Sequence, residues 1–258
     1  MADDVVYGAL KVSWAPTKVN DMSTIPRWKK RLPWSAYGLG LLLWLVLGAL
    51  TILLTEKGAL HQALNGLPAG SWSDQLFEVL TYVGDRRLSW FVGAVFLLQR
   101  QYRAGGAILV AAIATGLSIE WLKHQVFGPM PRPVAFFGDP TPLRLVPGFE
   151  NKLEYTMPSG HAALAFALMT SLALQARGLR WQQVGFLALA LLAGFSRVYL
   201  SEHFFEDVYA GSWLGVGWAL AAWILLRRPA LRQAAVAEAV AGNGPQPDAP
   251  GDRRDEST

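Results

Sequence analysis

The sequence predicts an all-α fold, a bundle of six transmembrane helices embedded in a membrane. Hydrophobic residues make up 52% of the 258 residues and charged residues only 16%, and the apolar residues are gathered in long runs. The charged residues are concentrated at the two ends of the chain and in short stretches between these runs. An apolar run of roughly 20 residues has the length of a membrane-spanning helix, so this distribution is typical of an integral membrane protein.

The predicted elements follow the apolar runs in chain order. The run at 34–54 contains no charged residue and is interpreted as the first span. A polar segment follows at 55–75. Residues 76–99, which Asp85, Arg86 and Arg87 interrupt, are interpreted as an interfacial helix and a short second span from about Leu88. The remaining spans are predicted at 104–122, 159–174, 184–200 and 208–226.

This pattern divides the chain into three parts: a cytoplasmic segment at 1–33, a transmembrane domain at 34–228 and a cytoplasmic tail at 229–258. The first segment lacks the apolar stretch of a cleavable signal peptide, so we expect the first span to act as the membrane signal. The tail is rich in Ala, Gly, Pro and charged residues. This composition predicts disorder, because it offers too little apolar surface to bury.

Basic residues indicate how the bundle is oriented. With six spans, the clusters that flank the helices all fall on one side: Arg27, Lys29, Lys30 and Arg31, then Arg100 and Arg103, then Arg177 and Arg180, then Arg227 and Arg228. The positive-inside rule makes that side cytoplasmic. We therefore expect segments 55–75, 123–158 and 201–207 on the periplasmic or extracytoplasmic face of a bacterial-type inner membrane.

Composition also argues against several classes of function. The chain has no cysteine, which excludes disulfides, thiolate metal sites and cysteine nucleophiles. The net charge of +4 comes from Lys and Arg residues beside the apolar runs, so nucleic-acid binding is not expected. The sequence contains no H-E-x-x-H motif or clustered carboxylates, and we predict neither a metal nor a cofactor.

Ionisable residues are costly at membrane depth, so a group of them on one face points to function. Such a group lies at the extracytoplasmic ends of the predicted spans: Lys123, Arg132, Ser159, Gly160, His161, Ser196, Arg197, His203 and Asp207. The spans and their orientation are assigned from the apolar runs and the flanking basic clusters, without using these residues. Their position on one side of the membrane is therefore independent support for a functional site.

The cations of this group indicate its ligand. Lys123, Arg132 and Arg197, converging beside two histidines and a carboxylate, suit a dianion with a reactive centre, and phosphate fits that description. Ser159 and Gly160 begin the fourth span. Helix N–H groups and the helix dipole can bind an anion there.

The spacing of His203 and Asp207 indicates a nucleophile. The two residues are four apart, so in a helix the carboxylate lies one turn away and can hold one imidazole nitrogen. The lone pair of the other nitrogen is then free to attack. We expect His61 and His124 to be structural, and Glu202 and Glu206 to be solvated charges at the interface.

Three ordered motifs resemble those of the type-2 phosphatidic acid phosphatases, which share them with vanadium haloperoxidases and bacterial acid phosphatases. The S-R-x5-H-x3-D motif is matched by Ser196, Arg197, His203 and Asp207, and the P-S-G-H motif by 158–161. In the motif K-x6-R-P, this chain has eight residues between Lys123 and Arg132 instead of six. The resemblance covers roughly 80–230.

The resemblance implies a role for each site residue. His203 would be the nucleophile, Asp207 its orienting carboxylate and His161 the general acid for the leaving oxygen. The phosphate cradle would comprise Lys123, Arg132, Ser159, Gly160 and Arg197.

The expected function is therefore a metal-independent membrane lipid phosphatase or diphosphatase. The motifs indicate phosphate and say nothing of the lipid, which could be undecaprenyl diphosphate, phosphatidic acid, phosphatidylglycerophosphate or the phosphate of lipid A. We favour undecaprenyl diphosphate by family analogy. The alternatives are a lipid phosphotransferase, a vanadium haloperoxidase, which would be expected to be soluble, and a non-catalytic lipid-binding or transport protein. The sequence does not indicate the oligomeric state.

Overall fold

A computed structural model describes residues 36–67, 70–139, 141–176 and 180–242, with side chains described up to residue 226 of the last helix. The described elements are α1 (Ala36–Leu54), α2 (Lys57–Asn65), α3 (Ser71–Thr81), α4 (Arg86–Leu98), α5 (Tyr102–Trp121), α6 (Pro133–Phe137), α7 (Gly160–Gln175), α8 (Arg180–Tyr199) and α9 (Phe205–Gly242). A 3₁₀ turn, Tyr82–Gly84, precedes α4, and a π-helical turn, Leu122–Phe127, extends α5. Since the described part of the chain contains no strand, the predicted all-α class is confirmed.

Helix α7 is the centre of the bundle. It packs against α5, α8 and α9, and every residue from Ala162 to Ser171 is buried. A helix that is apolar on all sides is stable only when neighbours surround it. The first residues of α7 are therefore held in the interior of the bundle.

Glycines allow the backbones around this helix start to approach closely. A Cβ atom at Gly211 of α9 would collide with the carbonyl oxygen of Ser159, and one at Gly84 would collide with that of His161. The N–H group of Ser159 donates to the carbonyl of Asp207 at 2.9 Å. The start of α9 and the turn before α4 are thus pressed against the start of α7.

Three described helices are long and apolar enough to cross a membrane: Ala36–Leu54, Tyr102–Phe127 and Phe205–Leu226. These mark the chain as an integral membrane protein. Helices α4 and α7, which match the predicted second and fourth spans, have 13 and 16 residues, fewer than the roughly 20 that cross a bilayer without tilt or thinning. The count of six spans therefore stays a prediction.

Two regions differ from the sequence-based prediction. The segment 55–75, predicted only as polar, contains α2 and the start of α3. The backbone of α9 is helical to Gly242, although disorder was predicted from residue 229. Alanine recurs through 230–242 and is the strongest helix former, which accounts for the extension. The predicted segment at 1–33 and residues 243–258 lie outside the described residues.

Candidate active site

A cavity of about 720 Å³ lies where α5 and α8 end and α7 begins, close to the start of α9. Six of the predicted site residues line it: Lys123, Arg132, Gly160, His161, Arg197 and His203. They come from the end of α5, the following loop, the start of α7, the end of α8 and the turn before α9. The fold thus brings together residues that are separated by up to 80 positions in the chain.

His203 is buried in the wall of this cavity, with only 2% of its surface exposed. Its Nδ1 atom lies 3.5 Å from Oδ2 of Asp207 and 3.4 Å from Oγ1 of Thr156. Its Nε2 atom lies on the other side of the ring, 3.3 Å from Nη1 of Arg132. The ring therefore turns one nitrogen toward the carboxylate and the other toward the cations.

Asp207 lies behind His203 and is fully buried. Its Oδ2 atom accepts hydrogen bonds from Oγ1 of Thr156 at 2.5 Å and from the N–H of Phe204 at 2.8 Å. Both donors fix the carboxylate in place. A carboxylate held in this way favours the imidazole tautomer with its proton on Nδ1, which leaves the Nε2 lone pair available.

Burial lowers the pKa of His203 well below the usual value, and the charges of Arg132, Arg197 and Lys123 lower it further. Desolvation and nearby cations both disfavour the protonated ring. A neutral imidazole is the form that can act as a nucleophile.

The start of α7 is fixed by hydrogen bonds of Ser159. The side chain of Ser159 accepts a hydrogen bond from the N–H of Ala162, and its own N–H donates to Asp207. Ser159 therefore caps the helix and ties it to α9. The N–H groups of Gly160 and His161, in the first turn of the helix, have no acceptor within the helix, and both residues line the cavity. These two N–H groups are therefore candidates to bind an anion, whereas the N–H of Ser159 is already used by Asp207.

Arg132 is held mainly by backbone carbonyls of its own loop. Its Nε donates to the carbonyl of Glu154 at 2.7 Å and its Nη2 to that of Tyr155 at 3.4 Å. The backbone N–H of Arg132 donates to Leu153 at 2.8 Å. The guanidinium is thus aimed at His203 by the fold of the loop.

Arg197 is buried at the end of α8 and is held by two side chains. Its Nη1 donates to Oγ1 of Thr81 at 2.5 Å, and its Nη2 lies 3.2 Å from Oε2 of Glu202. The same oxygen of Glu202 also pairs with Arg132. Glu202, only 3% exposed, was expected to be a solvated charge, and that expectation is wrong. Its carboxylate lies between the two arginines of the predicted cradle.

The π-helical turn that contains Lys123 accounts for part of the longer spacing in the first motif. A π-helical turn accommodates one more residue than an α-helical turn, and the loop from Gly128 to Met130 follows it. Lys123 and Arg132 still line the same cavity. The extra residues are therefore absorbed without separating the two cations.

A buried polar cluster supports the turn that precedes His203. Ser201 adopts a left-handed backbone conformation with φ of 53°, and its Oγ accepts a hydrogen bond from Nδ2 of Asn65 at 3.0 Å. The ring of His61 lies 3.4 Å from the same oxygen and is fully buried. Burial lowers the pKa of His61 to about 4. These contacts agree with a structural role for His61.

Sequence reasoning missed three residues that contact the predicted set: Thr81, Thr156 and Glu202. Thr81 and Thr156 lie outside the motifs, and no spacing identifies them. Glu202 precedes the motif histidine directly, and that proximity was the one available signal. Among the described residues, no group of three or more His, Asp or Glu side chains could hold a metal ion.

Residues 104–230 match the family model of the PAP2 superfamily. This stretch, just under half of the chain, is similar to the PAP2 superfamily. The match contains every predicted site residue from Lys123 to Asp207, and it confirms the resemblance that the motifs indicated.

One curated relative of this chain is a protein of Sulfolobus acidocaldarius named undecaprenyl-diphosphatase. The two sequences are 30% identical over 140 residues, which are 54% of this chain and 61% of the relative. The match thus spans about three fifths of the length of that relative.

Two solved structures share the fold. Aquifex aeolicus LpxE aligns with a TM-score of 0.55 and 22% identity, covering 64% of this chain and 92% of that protein. A transmembrane PAP2-type phosphatidylglycerolphosphate phosphatase from Bacillus subtilis aligns with a TM-score of 0.52 and 21% identity, covering 76% of this chain and 96% of that protein. At these identities the likeness concerns the fold alone.

Proposed function

We propose that this chain is a metal-independent membrane phosphatase that hydrolyses a lipid phosphate through a phosphohistidine on His203. The observation that carries the proposal is the position of His203, whose Nδ1 faces Asp207 and whose Nε2 faces the cations of a cavity large enough for a phosphorylated headgroup. Phosphoryl transfer depends on positioning and on neutralising the charge of the phosphate oxygens. Arg132, Arg197 and Lys123 would supply that charge.

The proposed reaction has two steps. In the first, Nε2 of His203 forms a bond to phosphorus while the bond from phosphorus to the lipid oxygen breaks, and His161, protonated at the start of the cycle, gives that oxygen a proton and becomes neutral. In the second, a water molecule attacks phosphorus, its proton passes to His161, and the bond from phosphorus to Nε2 breaks. The products are the dephosphorylated lipid and inorganic phosphate, and both histidines return to their initial state.

A neighbouring, largely apolar cavity supports a lipid substrate. A second cavity of about 400 Å³ shares Tyr82, Asp85 and Arg87 with the first. Its other residues are apolar: Val79, Val83, Leu88 and Phe91. A phosphate bound at His203 would therefore have apolar surface within reach of its lipid chain.

Among lipid phosphates, we propose a polyprenyl diphosphate as the first substrate to test. The relative from Sulfolobus acidocaldarius is named for undecaprenyl diphosphate. The cavity also contains Arg86, Arg87 and Lys152 in addition to the cradle. A second phosphate group would find cations there.

The test is phosphate release by the purified protein in detergent, measured with polyprenyl diphosphate, phosphatidic acid, phosphatidylglycerophosphate and lipid A. We expect release from at least one lipid, inhibition by orthovanadate as a transition-state analogue, and no effect of EDTA. His203→Ala should abolish release, whereas His124→Ala, an exposed histidine paired with Glu120, should retain it. Activity that persists in His203→Ala would refute the mechanism, and loss with EDTA restored by a divalent ion would refute metal independence.

Release of free phosphate with one lipid and water as the only acceptor would also separate a hydrolase from a phosphotransferase. The proposed location of the site, on the extracytoplasmic face, is tested by reporter fusions near residue 140. A cytoplasmic signal there would place the chemistry on the opposite face.

A further inference from the structure

Glu202 is a buried carboxylate placed between the two arginines of the cradle. Its Oε2 atom pairs with Nη1 of Arg132 and lies 3.2 Å from Nη2 of Arg197. Its Oε1 atom accepts a hydrogen bond from the N–H of Lys152 at 3.1 Å. Glu202 also lines the cavity. One oxygen atom of this side chain therefore accepts a hydrogen bond from Arg132 and forms an ion pair with Arg197, at the edge of the space that substrate would enter.

The hydrogen bonds of the arginines show what a phosphate would meet. The Nε and Nη2 atoms of Arg132 are engaged by the carbonyls of Glu154 and Tyr155, which leaves Nη1 as its group beside His203. That Nη1 atom donates to both the carbonyl oxygen and Oε2 of Glu202. Arg197 donates through Nη1 to Thr81, its Nη2 forms an ion pair with Oε2 of Glu202, and its buried Nε has no hydrogen-bond partner among the described residues. A phosphate oxygen beside His203 therefore gains Nη1 of Arg132 only by replacing an oxygen of Glu202, and in the position of Oε2 it would meet both arginines.

We infer that the Glu202 carboxylate is an internal occupant of the phosphate site, which an incoming phosphate displaces from between Arg132 and Arg197. This inference rests on the proposed function. Two buried guanidinium groups without a counter-ion are costly, so the carboxylate neutralises them while the site is empty. Its rotation away frees both groups for the dianion, and its return favours the departure of inorganic phosphate. Glu202 would thus set the affinity of the site for every phosphate, product included.

The test is the binding of two small oxyanions, orthovanadate and inorganic phosphate, to the full-length protein in detergent. Glu202→Gln keeps the size of the side chain and removes its charge. A neutral amide oxygen competes less well for guanidinium donors than a carboxylate, so both anions should bind about tenfold more tightly to the variant. Equal or weaker binding would overturn the inference, because a residue that merely holds the arginines in place would lower the affinity when changed.

A second variant addresses the risk that Glu202→Gln does not fold. Glu202→Asp keeps the charge but is shorter by one methylene, so its carboxylate cannot span both arginines in the same way. We expect this variant to bind vanadate more tightly than the wild type, by about threefold, because the internal competitor is weaker. Unchanged or weaker binding would contradict the inference independently of the first variant.

Glu120→Gln is the matched control. Glu120 lines the same cavity but pairs with His124 at 3.6 Å rather than with an arginine, and its exposed charge is screened by solvent. We expect its effect on vanadate affinity to stay within about twofold. An effect equal to that of Glu202→Gln would assign the change to the general field of the cavity and overturn the specific role. If wild-type protein binds neither anion, the proposed function fails; if it binds them and Glu202→Gln binds no tighter, only this inference fails.

Discussion

Replacing Asp207 with asparagine tests how the proposed nucleophile, His203, is held. Oδ2 of Asp207 accepts hydrogen bonds from the N–H of Phe204 and the hydroxyl of Thr156, and it faces Nδ1 of His203 at 3.5 Å. In the variant, the amide oxygen must take the position of Oδ2, because an amide nitrogen there would face the donating N–H of Phe204. The proton therefore stays on Nδ1 of His203, and the change removes mainly the negative charge.

The magnitude follows from that charge. As Nε2 attacks phosphorus, the imidazole gains positive charge close to Asp207. Two unit charges about 4 Å apart interact by about 4 kcal/mol at an effective dielectric constant of about 20, and each 1.36 kcal/mol is about tenfold in rate. Asp207→Asn should therefore slow formation of the phosphoenzyme by roughly a thousandfold, with lipid and aryl phosphates alike.

The assay is the rate of the phenol burst from an aryl phosphate, compared with release from the lipid. Glu206→Gln is the control, since this neighbouring carboxylate pairs with Lys57 at 3.3 Å outside the cavity; it should stay within about twofold. A loss below about tenfold in Asp207→Asn would show that the charge contributes little. A loss as complete as that of His203→Ala would show that the amide nitrogen faces the ring and has changed its tautomer.

Three further predictions concern the histidines and the fold. His161→Ala should lose about 10²- to 10⁴-fold with an alkyl phosphate but recover much of that with an aryl phosphate, because an acidic phenol leaves without protonation; His203→Ala should recover nothing, and bursts across graded leaving groups measure both. Burial and Arg132 lower the pKa of His203. The pKa from the acid limb of the kcat/KM profile, corrected for ionisation of the substrate, should therefore lie below the usual histidine value of about 6.5. A pKa at or above about 6.5 would contradict a neutral nucleophile. Asn65→Ala should lower the free energy of unfolding in detergent by about 3 kcal/mol, and Asn151→Ala, which loses one hydrogen bond to Leu200, by only about 1 kcal/mol.

The sequence places the proposed reactive residues close together because each lies at a recognisable position of a motif and at the end of an apolar run, and the residues His161, Arg197 and His203 do line one cavity. The predicted fourth span at 159–174 differs by one residue at each end from α7, Gly160–Gln175. A run of apolar residues indicates a buried or membrane-embedded helix, so the ends of the run predict the ends of the helix. The apolar runs and the motifs therefore predict that His161, Arg197 and His203 lie at one depth.

The residues that hold Asp207 and Arg197 in position could not be predicted from the sequence in the same way. Thr156 donates to Asp207, and Thr81 accepts from Arg197, over separations of 51 and 116 positions. Threonine is common in loops and at helix ends, so no pattern marks these two. Glu202 was misjudged for a related reason: a carboxylate beside a loop is usually solvated, and only the arrangement of Arg132 and Arg197 in space makes its burial favourable.

Helix α2 was missed because it is short and its apolar residues are few, yet it bears on the position of the cradle. Asn65 donates to the carbonyls of Arg144 and Tyr199, and its Oδ1 accepts from the N–H of Arg144 at 2.7 Å. Arg144 also forms a two-pronged ion pair with Asp74 of α3. These bonds hold the loop around Arg144 in place. The same loop continues to residues 153–155, whose carbonyl groups accept hydrogen bonds from Arg132.

The orientation of the Arg132 guanidinium group therefore depends on the backbone of its loop and not only on its ion pair with Glu202. Its N–H, Nε and Nη2 groups all donate to backbone carbonyls of its own loop, so the guanidinium keeps its direction when the Glu202 carboxylate moves. A cradle held in this way can exchange one anion for another without collapsing, because backbone hydrogen bonds are unaffected by the exchange. Proline restricts the backbone, and this loop contains seven prolines, at 129, 131, 133, 140, 142, 147 and 158. The restricted loop backbone therefore helps to keep the Arg132 guanidinium group in its orientation.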